Sequence, residues 1–170
     1  LVKAAIAVFV GTVIAAAFTT QILKLLIAPY GQPLQVLGPT EGIAIYFRVA
    51  LTAGLILAMP VLVYQLLMFV MPGLEEREKN YIFWGVPSAT ILFLIGASFA
   101  WFVLLPAAIG FLSSWQTEVF LQEWQSQKYI PFVTSIIFWI GVSFETPLII
   151  FIMSKLGLVT PQFLIKQWRY

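Results

Sequence analysis

The sequence of 170 residues contains no cysteine and no histidine, and it carries few charges. Without cysteine there is no disulfide or thiolate ligand, and without histidine the usual zinc and haem sites are excluded. Charged residues make up 9% of the chain, whereas soluble domains have about 25%. A net charge of +2 is too small to indicate a nucleic-acid partner.

Hydrophobic residues make up 61% of the chain and are gathered in four long runs. Each run is about as long as the ~20 residues that a helix needs to cross a bilayer. One buried helix of a soluble protein can be apolar on every side, but four in succession would leave no face for water. The sequence therefore predicts an all-α, polytopic bundle of transmembrane helices that forms a single domain over residues 1–170.

Proline, glycine and charged links set the bounds of the predicted spans, which cover residues 2–27, 43–71, 81–105 and 130–156. Pro60 lies inside the second span and should kink it. Lysine and arginine are more numerous in the first residues, the 72–80 link and the 157–170 tail, which places these parts in the cytoplasm. Residues 28–42 and 106–129 are then the links on the outer side.

One carboxylate, Glu145 in GVSFETP, lies in the middle of the fourth span. An ionisable group at mid-membrane depth is costly and usually marks a polar cavity or a functional pathway. Ser135, Trp139 and Thr146 lie near its face at helical spacing and are predicted to point into the protein with it. The alternative is a carboxyl group that only holds neighbouring helices together.

Two further polar side chains lie within the second span. Gln65 is the second candidate for an intramembrane polar cavity, although an amide also commonly joins two helices. Arg48 lies near the outer start of the span, where it can extend to the membrane interface or pair with Glu41.

The link after the second span is the most charged segment of the chain and contains Glu75, Glu76 and Glu78. It is either a solvated loop or an acidic surface for a cationic partner, since arginine pairs well with carboxylates. No nucleophile–base pair, phosphate loop or metal cluster is recognisable. The sequence therefore predicts neither an enzyme nor a cofactor or metal site.

Several segments are similar, in the same order, to segments of one known family. These are IAPY, TEGIAIYFRVAL, YQLLMFVMPGLEEREK, FLIGASFAWFVLLPAAIGFL, GVSFETPLII and the terminal WRY. Together they resemble TatC, the multi-spanning core subunit of the twin-arginine protein translocase. The terminal motif lacks the proline that is usual in the family.

This resemblance implies a concave bundle of six transmembrane helices, of which the chain supplies four as a piece of a longer protein. It implies a receptor that binds twin-arginine signal peptides at the cytoplasmic face. Single-span subunits of the TatA and TatB types would be its partners, together with the lipid bilayer and further copies of itself. Export of folded proteins would be driven by the proton-motive force across a bacterial, archaeal or thylakoid membrane.

The resemblance also implies a signal-peptide site in the link after the second span. Glu78 matches the family's loop glutamate that contacts the arginine pair. Phe69 and Pro72 match residues that shape the same site, and Glu75 and Glu76 belong to its acidic surface.

Other family positions fall within and outside the membrane. Glu145 matches the intramembrane glutamate that faces the family's concave cavity, where Gln65 is expected as well. Pro29, Glu41 and Arg48 match positions on the outer side that support assembly, and Arg48 stands where lysine is common.

Two other classes of function stay open from the residues alone. A proton- or ion-coupled transporter with Glu145 as its relay would explain the buried carboxylate but not the acidic link, and no internal repeat is recognisable. A purely structural subunit would need neither Glu78 nor Glu145.

Overall fold

The computed structural model describes residues 2–70, 80–115 and 123–155. They form six α-helices: α1 (Val2–Ile27), α2 (Glu41–Val70), α3 (Asn80–Phe99), α4 (Leu105–Ser114), α5 (Ser126–Phe144) and α6 (Thr146–Lys155). Within these ranges the sheet-like pairing is limited to one isolated bridge between Gln35 and Gln125. The predicted all-α fold is confirmed.

Four stretches of helix are long and apolar enough to cross a membrane: Val2–Ile27, Glu41–Phe69, Trp84–Ser114 and Ser126–Ser154. The third combines α3 and α4, and the fourth combines α5 and α6. Large apolar side chains such as Phe9, Phe102 and Trp139 are more than half exposed along these helices. In a membrane protein such faces meet lipid, so the molecule is a polytopic membrane protein.

A π-helical turn, Ala100–Leu104, joins α3 to α4. The N–H of Leu105 donates to the carbonyl oxygen of Ala100, one residue further back than in an α-helix. The next residue, Pro106, has no N–H and cannot donate a helical hydrogen bond. The π-helical turn, which holds one residue more than an α-helical turn, lies directly before this missing bond. The third span thereby continues as helix to Ser114, beyond the predicted end at residue 105.

Small residues let α1 pack closely along α2. A Cβ atom on Gly54 would lie 2.5 Å from the Cα atom of Thr12, and one on Gly11 would lie 2.6 Å from the carbonyl oxygen of Gly54. Close approach through small residues is a common way for transmembrane helices to associate. Along the same seam, the hydroxyl of Tyr46 donates to the carbonyl oxygen of Ala16.

Buried apolar side chains form two clusters near opposite ends of the bundle. The larger cluster joins the end of α1 to α4 and to the starts of α2 and α5, and comprises Leu26, Ile45, Val49, Leu105, Ile109, Tyr129, Ile130 and Val133. The smaller cluster joins the end of α2 to α3 and comprises Val63, Leu67 and Ala89. We call these the cap end (residues 26–49, 105–115 and 123–133) and the α2–α3 end (residues 63–70, 80–89 and 145–155).

Candidate functional site

The predicted signal-peptide site falls at the α2–α3 end. Phe69, near the end of α2, is 84% exposed, more than any other large apolar side chain in the described ranges. The neighbouring Met68 is exposed as well. The other predicted members of this site lie outside the described residues; they are Pro72, Glu75, Glu76 and Glu78. The assignment of the signal-peptide site therefore stays a prediction.

Glu145 lies in the fourth span, where α5 ends and α6 begins. Its N–H donates to the carbonyl oxygen of Val142 at 3.0 Å, and its own carbonyl oxygen accepts from the N–H of Ile149 at 3.0 Å. Pro147 has no N–H and interrupts the helical ladder here. The sequence thus places its one mid-span carboxylate at a break in the helix.

The Glu145 side chain is turned into the protein. It is 6% exposed, and its Oε1 atom has no hydrogen-bond partner among the described residues. Buried polar atoms in proteins nearly always have a partner, so this oxygen is able to accept a further hydrogen bond. Gln65, the other residue predicted to lie in a polar cavity, is half-buried on α2.

The predicted inward stripe beside Glu145 is wrong. Three residues expected to point inward are exposed instead: Ser135, Trp139 (62%) and Thr146. On α5 the face at Gly141 is buried against α3, so close that a Cβ atom there would lie 2.6 Å from Cε2 of Phe93. Because the helix is interrupted at Glu145, the spacing counted along α5 does not carry across to that residue.

At the cap end, Glu41 holds two separate segments together. Its carboxylate is buried, with the residue 4% exposed. Oε2 accepts from the N–H groups of Leu37 at 2.8 Å and Gly38 at 3.2 Å, both in the link before α2. Oε1 accepts from the N–H of Gln127 at 2.8 Å, in the first turn of α5. At the N-terminus of α5, the Glu41 carboxylate pairs with the N–H of Gln127, which has no partner within the helix, and its negative charge interacts favourably with the helix dipole.

A short ladder joins the same two segments. The N–H of Gln35 donates to the carbonyl oxygen of Trp124 at 3.1 Å. The carbonyl oxygen of Gln35 accepts from both the N–H (2.9 Å) and the hydroxyl (2.7 Å) of Ser126. The side-chain amide of Gln35 also donates to the carboxylate of Glu123. The link before α2 is thereby fixed to the start of α5.

Three aromatic rings pack beside this ladder. Tyr30 stacks on Trp124 with ring centroids 4.8 Å apart, and Tyr129 is tilted against both rings. The hydroxyl of Tyr129 donates to the carbonyl oxygen of Leu26 at 2.9 Å, which satisfies a carbonyl group near the end of α1. Rings and hydrogen bonds together tie α1, α2 and α5 at the cap end.

The three residues predicted to support assembly on the outer side, Pro29, Glu41 and Arg48, all lie at the cap end. Pro29 borders a cavity of about 340 Å³ together with Pro106 and Ile109. Arg48 is exposed. Within the described residues it forms no ion pair with Glu41, whose oxygens both accept backbone N–H groups. The roles of these three residues in assembly stay predictions.

The sequence analysis did not find the partners that Glu41 and its neighbours use. Ser126 is 91 residues from Gln35 in the chain, and Tyr129 is 103 residues from Leu26. The available signal was weak: both links carry aromatic and amide residues next to turn-forming ones. Which link pairs with which becomes visible only once the helices are packed.

Comparison with known proteins gives a consistent result. The profile of the family described as Sec-independent protein translocase protein (TatC) matches residues 1–170. A TatC protein of Desulforapulum autotrophicum is 34% identical over 176 residues, covering 100% of this chain and 65% of the relative. The chloroplastic protein of Pisum sativum is 31% identical over 157 residues, covering 91% and 44%. The chain thus spans about two thirds or less of the length of these curated relatives.

A solved structure agrees with the sequence relatives. The crystal structure of the twin-arginine translocase receptor TatC in DDM superposes with a TM-score of 0.89 at 31% identity, covering 98% of this chain and 77% of that one. A second crystal structure of that receptor gives a TM-score of 0.88. With the family profile covering its whole length, this chain belongs to the TatC family of Sec-independent protein translocase proteins.

Proposed function

We propose that the intact protein is the receptor and core subunit of a twin-arginine translocase. It binds twin-arginine signal peptides at the cytoplasmic face, and it exports folded proteins with energy from the proton-motive force. Single-span subunits of the TatA and TatB types are its partners in this proposal. The observation that carries it is Phe69, an aromatic side chain that is 84% exposed and that precedes the acidic link in the sequence.

The chemistry of the signal fits this end of the molecule. Arginine keeps its charge at any cytoplasmic pH and presents a planar fork that matches a carboxylate. Glu78 would receive the arginine pair, with Glu75 and Glu76 adding negative charge and Pro72 shaping the turn. The exposed ring of Phe69 offers an apolar contact for the hydrophobic part of the signal.

The orientation follows the same argument. The α2–α3 end faces the cytoplasm and the cap end faces the outside, which agrees with the larger number of lysines and arginines on the first side. The membrane is the cytoplasmic membrane of a bacterium or archaeon, or a thylakoid membrane.

Glu145 and Gln65 have a second role in this proposal, as polar groups within the membrane. Glu145 is 6% exposed, and its Oε1 atom is able to accept one more hydrogen bond. A carboxyl group at that depth favours a polar or hydrated partner over lipid. It would receive polar groups that enter the bundle after the arginine pair is bound.

The test is photo-crosslinking from position 68 in the full-length protein, because Met68 is exposed beside Phe69. Glu78→Gln removes only the charge, and we expect it to lower crosslinking to a twin-arginine precursor about tenfold, the effect of losing one charge-assisted pair. Glu78→Asp keeps the charge and most of the signal. Lys79→Gln, a neighbouring change of charge, is the matched control and leaves crosslinking unchanged.

Two outcomes would contradict different parts of the proposal. One outcome is that the Glu78→Gln protein crosslinks to the twin-arginine precursor as well as the wild type does, while the wild type does not crosslink to a twin-lysine precursor. In that case the assignment of Glu78 to the signal-peptide site is wrong, and the receptor function stands. If the twin-lysine precursor crosslinks as well as the twin-arginine one, the receptor function itself is wrong.

One observation favours a second candidate, a proton- or ion-coupled transporter: the Oε1 atom of Glu145 is buried and has no hydrogen-bond partner among the described residues. That reading requires pH-dependent flux through the full-length protein in liposomes without any peptide, and loss of the flux in Glu145→Gln. If the full-length protein shows no flux but still binds a twin-arginine precursor, the receptor function is supported over the transporter.

A further inference from the structure

A cavity of about 650 Å³ lies at the cap end beside the first turns of α5, apart from the predicted signal-peptide site and from Glu145. Trp115, Trp124 and Phe132 contribute aromatic walls, and Lys128 and Glu123 line the same space. The cavity is therefore a mixed site, apolar on its walls and charged at two points.

The two charges that line the cavity are opposite in sign. Within the described ranges no ion pair joins Lys128 to Glu123, although both line one cavity and both are exposed. The carboxylate of Glu123 is held in place because it accepts from the side-chain amide of Gln35. Separated positive and negative groups in one recess match a ligand that carries both charges at a distance from each other.

The cavity lies beside the ends of two apolar spans. The third apolar span ends at Ser114 and the fourth begins at Ser126, so the cavity lies where the ends of two candidate membrane spans meet. Tryptophan is enriched at the ends of such spans, and lysine side chains extend from there toward lipid phosphates. Phe132, one turn further along α5 and so further into the fourth span, is itself exposed.

We propose that this cavity binds the headgroup of a zwitterionic phospholipid. The phosphate lies at Lys128, and the ammonium group lies at Glu123 among the aromatic rings, where a cation is also attracted to tryptophan. The acyl chains leave the cavity past Phe132. This inference needs only that the chain spans a membrane, so it does not depend on the proposed receptor function.

The test is native mass spectrometry of the full-length protein in detergent, with phosphatidylethanolamine and phosphatidylglycerol of identical acyl chains in competition. We expect the wild-type protein to retain about threefold more phosphatidylethanolamine, the size of effect that one exposed ion pair gives. Glu123→Gln should abolish this preference, because the amide cannot attract the ammonium group but its oxygen still accepts from Gln35. Lys128→Gln should lower retention of both lipids, because both carry a phosphate.

Lys24→Gln is the matched control, since Lys24 is another exposed lysine near the end of a span but does not line the cavity. It should leave retention unchanged; an equal loss in Lys24→Gln and Lys128→Gln would overturn the site in favour of general attraction of lipid to lysine. Equal retention of the two lipids by the wild-type protein would contradict the proposed preference for a zwitterionic headgroup. A thermal shift of the wild type, larger with phosphatidylethanolamine than with phosphatidylglycerol, supports the site independently of any variant, and equal shifts count against it.

Discussion

The cap end and the α2–α3 end of this bundle are held together by different kinds of interaction. At the cap end, Glu41 accepts three backbone N–H groups, Gln35 and Ser126 are bonded through the backbone, and an apolar cluster of eight buried residues lies beneath them. At the α2–α3 end the described residues include a buried cluster of Val63, Leu67 and Ala89, with Leu148 and Ile152 of α6 packed against it. Among the described residues, directional bonds fix the cap end, and an apolar cluster packs at the other end.

This difference has a mechanical consequence. Hydrogen bonds specify one distance and one angle, whereas apolar contacts between helices have no preferred direction and tolerate small shifts. We therefore expect the cap end to set the spacing of the spans more strictly than the apolar cluster of the α2–α3 end does. Under the proposed receptor function, a fixed frame at one end and an adaptable surface at the other would suit the binding of many different signal peptides.

The largest effect is expected from truncating the apolar cluster at the cap end, and the same truncation at the α2–α3 end is the comparison. Ile130 at the cap end is 1% exposed, and Leu67 at the α2–α3 end is 3% exposed. Ile130→Ala should lower the free energy of unfolding by about 4 kcal/mol and Leu67→Ala by about 2 kcal/mol, within the range for such truncations. We expect the larger loss at the cap end because the hydrogen bonds there prevent the neighbouring helices from closing the space that the missing Ile130 side chain leaves. Equal losses, measured by denaturant unfolding in detergent, would remove the distinction between the ends.

A somewhat smaller effect is expected from the carboxylate that joins two segments of the cap. Glu41→Ala leaves the N–H groups of Leu37, Gly38 and Gln127 without their acceptor. We expect a loss of about 3 kcal/mol in the free energy of unfolding, since each unsatisfied buried group costs about 1–3 kcal/mol and water will reach some of them. Unfolding followed by tryptophan fluorescence measures it.

Two variants control for charge and for position. Glu41→Gln keeps one carbonyl oxygen as an acceptor and should lose about half as much stability. Arg48→Gln changes an exposed charge on the same helix, without an ion-pair partner in the described residues, and should change stability by less than about 0.5 kcal/mol. A Glu41→Ala protein as stable as the Arg48→Gln protein would show that the cap is not held by this carboxylate.

The sequence allowed the spans and the unusual carboxylate of the fourth span to be predicted, but not the way in which the cap is built. Long apolar runs have few alternatives to a membrane helix, so the four spans follow from composition. The carboxylate of Glu145 stands out because a charge in the middle of a span demands an explanation, whereas the sequence indicates Glu41 only as a partner of Arg48 or an outer-side position, not as a buried group. The partners of Glu41 could not be predicted, because Gln127 is far away in the chain and its backbone N–H carries no sequence signal.

The inward stripe next to Glu145 shows where a periodic argument fails. Trp139 and Ser135 follow the period of α5, but Glu145 lies after the last residue of that helix. Pro147 interrupts the helical ladder at this point, so spacing counted along α5 does not continue past it. Apolar periodicity is also a weak guide inside a membrane, because lipid-facing and buried surfaces are both apolar.

The smallest expected effect concerns the α1–α2 seam that lies between the two ends. A methyl group on Gly54 would approach the Cα atom of Thr12 to 2.5 Å, which is too close unless the helices separate. Gly54→Ala should therefore lower the free energy of unfolding by about 1–2 kcal/mol, as overpacking usually does. The same separation should weaken the hydrogen bond from Tyr46 to Ala16.

Gly42→Ala is the matched change on the same helix, because no atom lies within 4 Å of the added methyl group. It should cost nothing, since alanine is the better helix former. If the seam is part of the fixed frame, Gly54→Ala loses stability and Gly42→Ala does not. If both proteins unfold at the same denaturant concentration, α1 is free to move away from α2, and the frame is confined to the hydrogen-bonded cap.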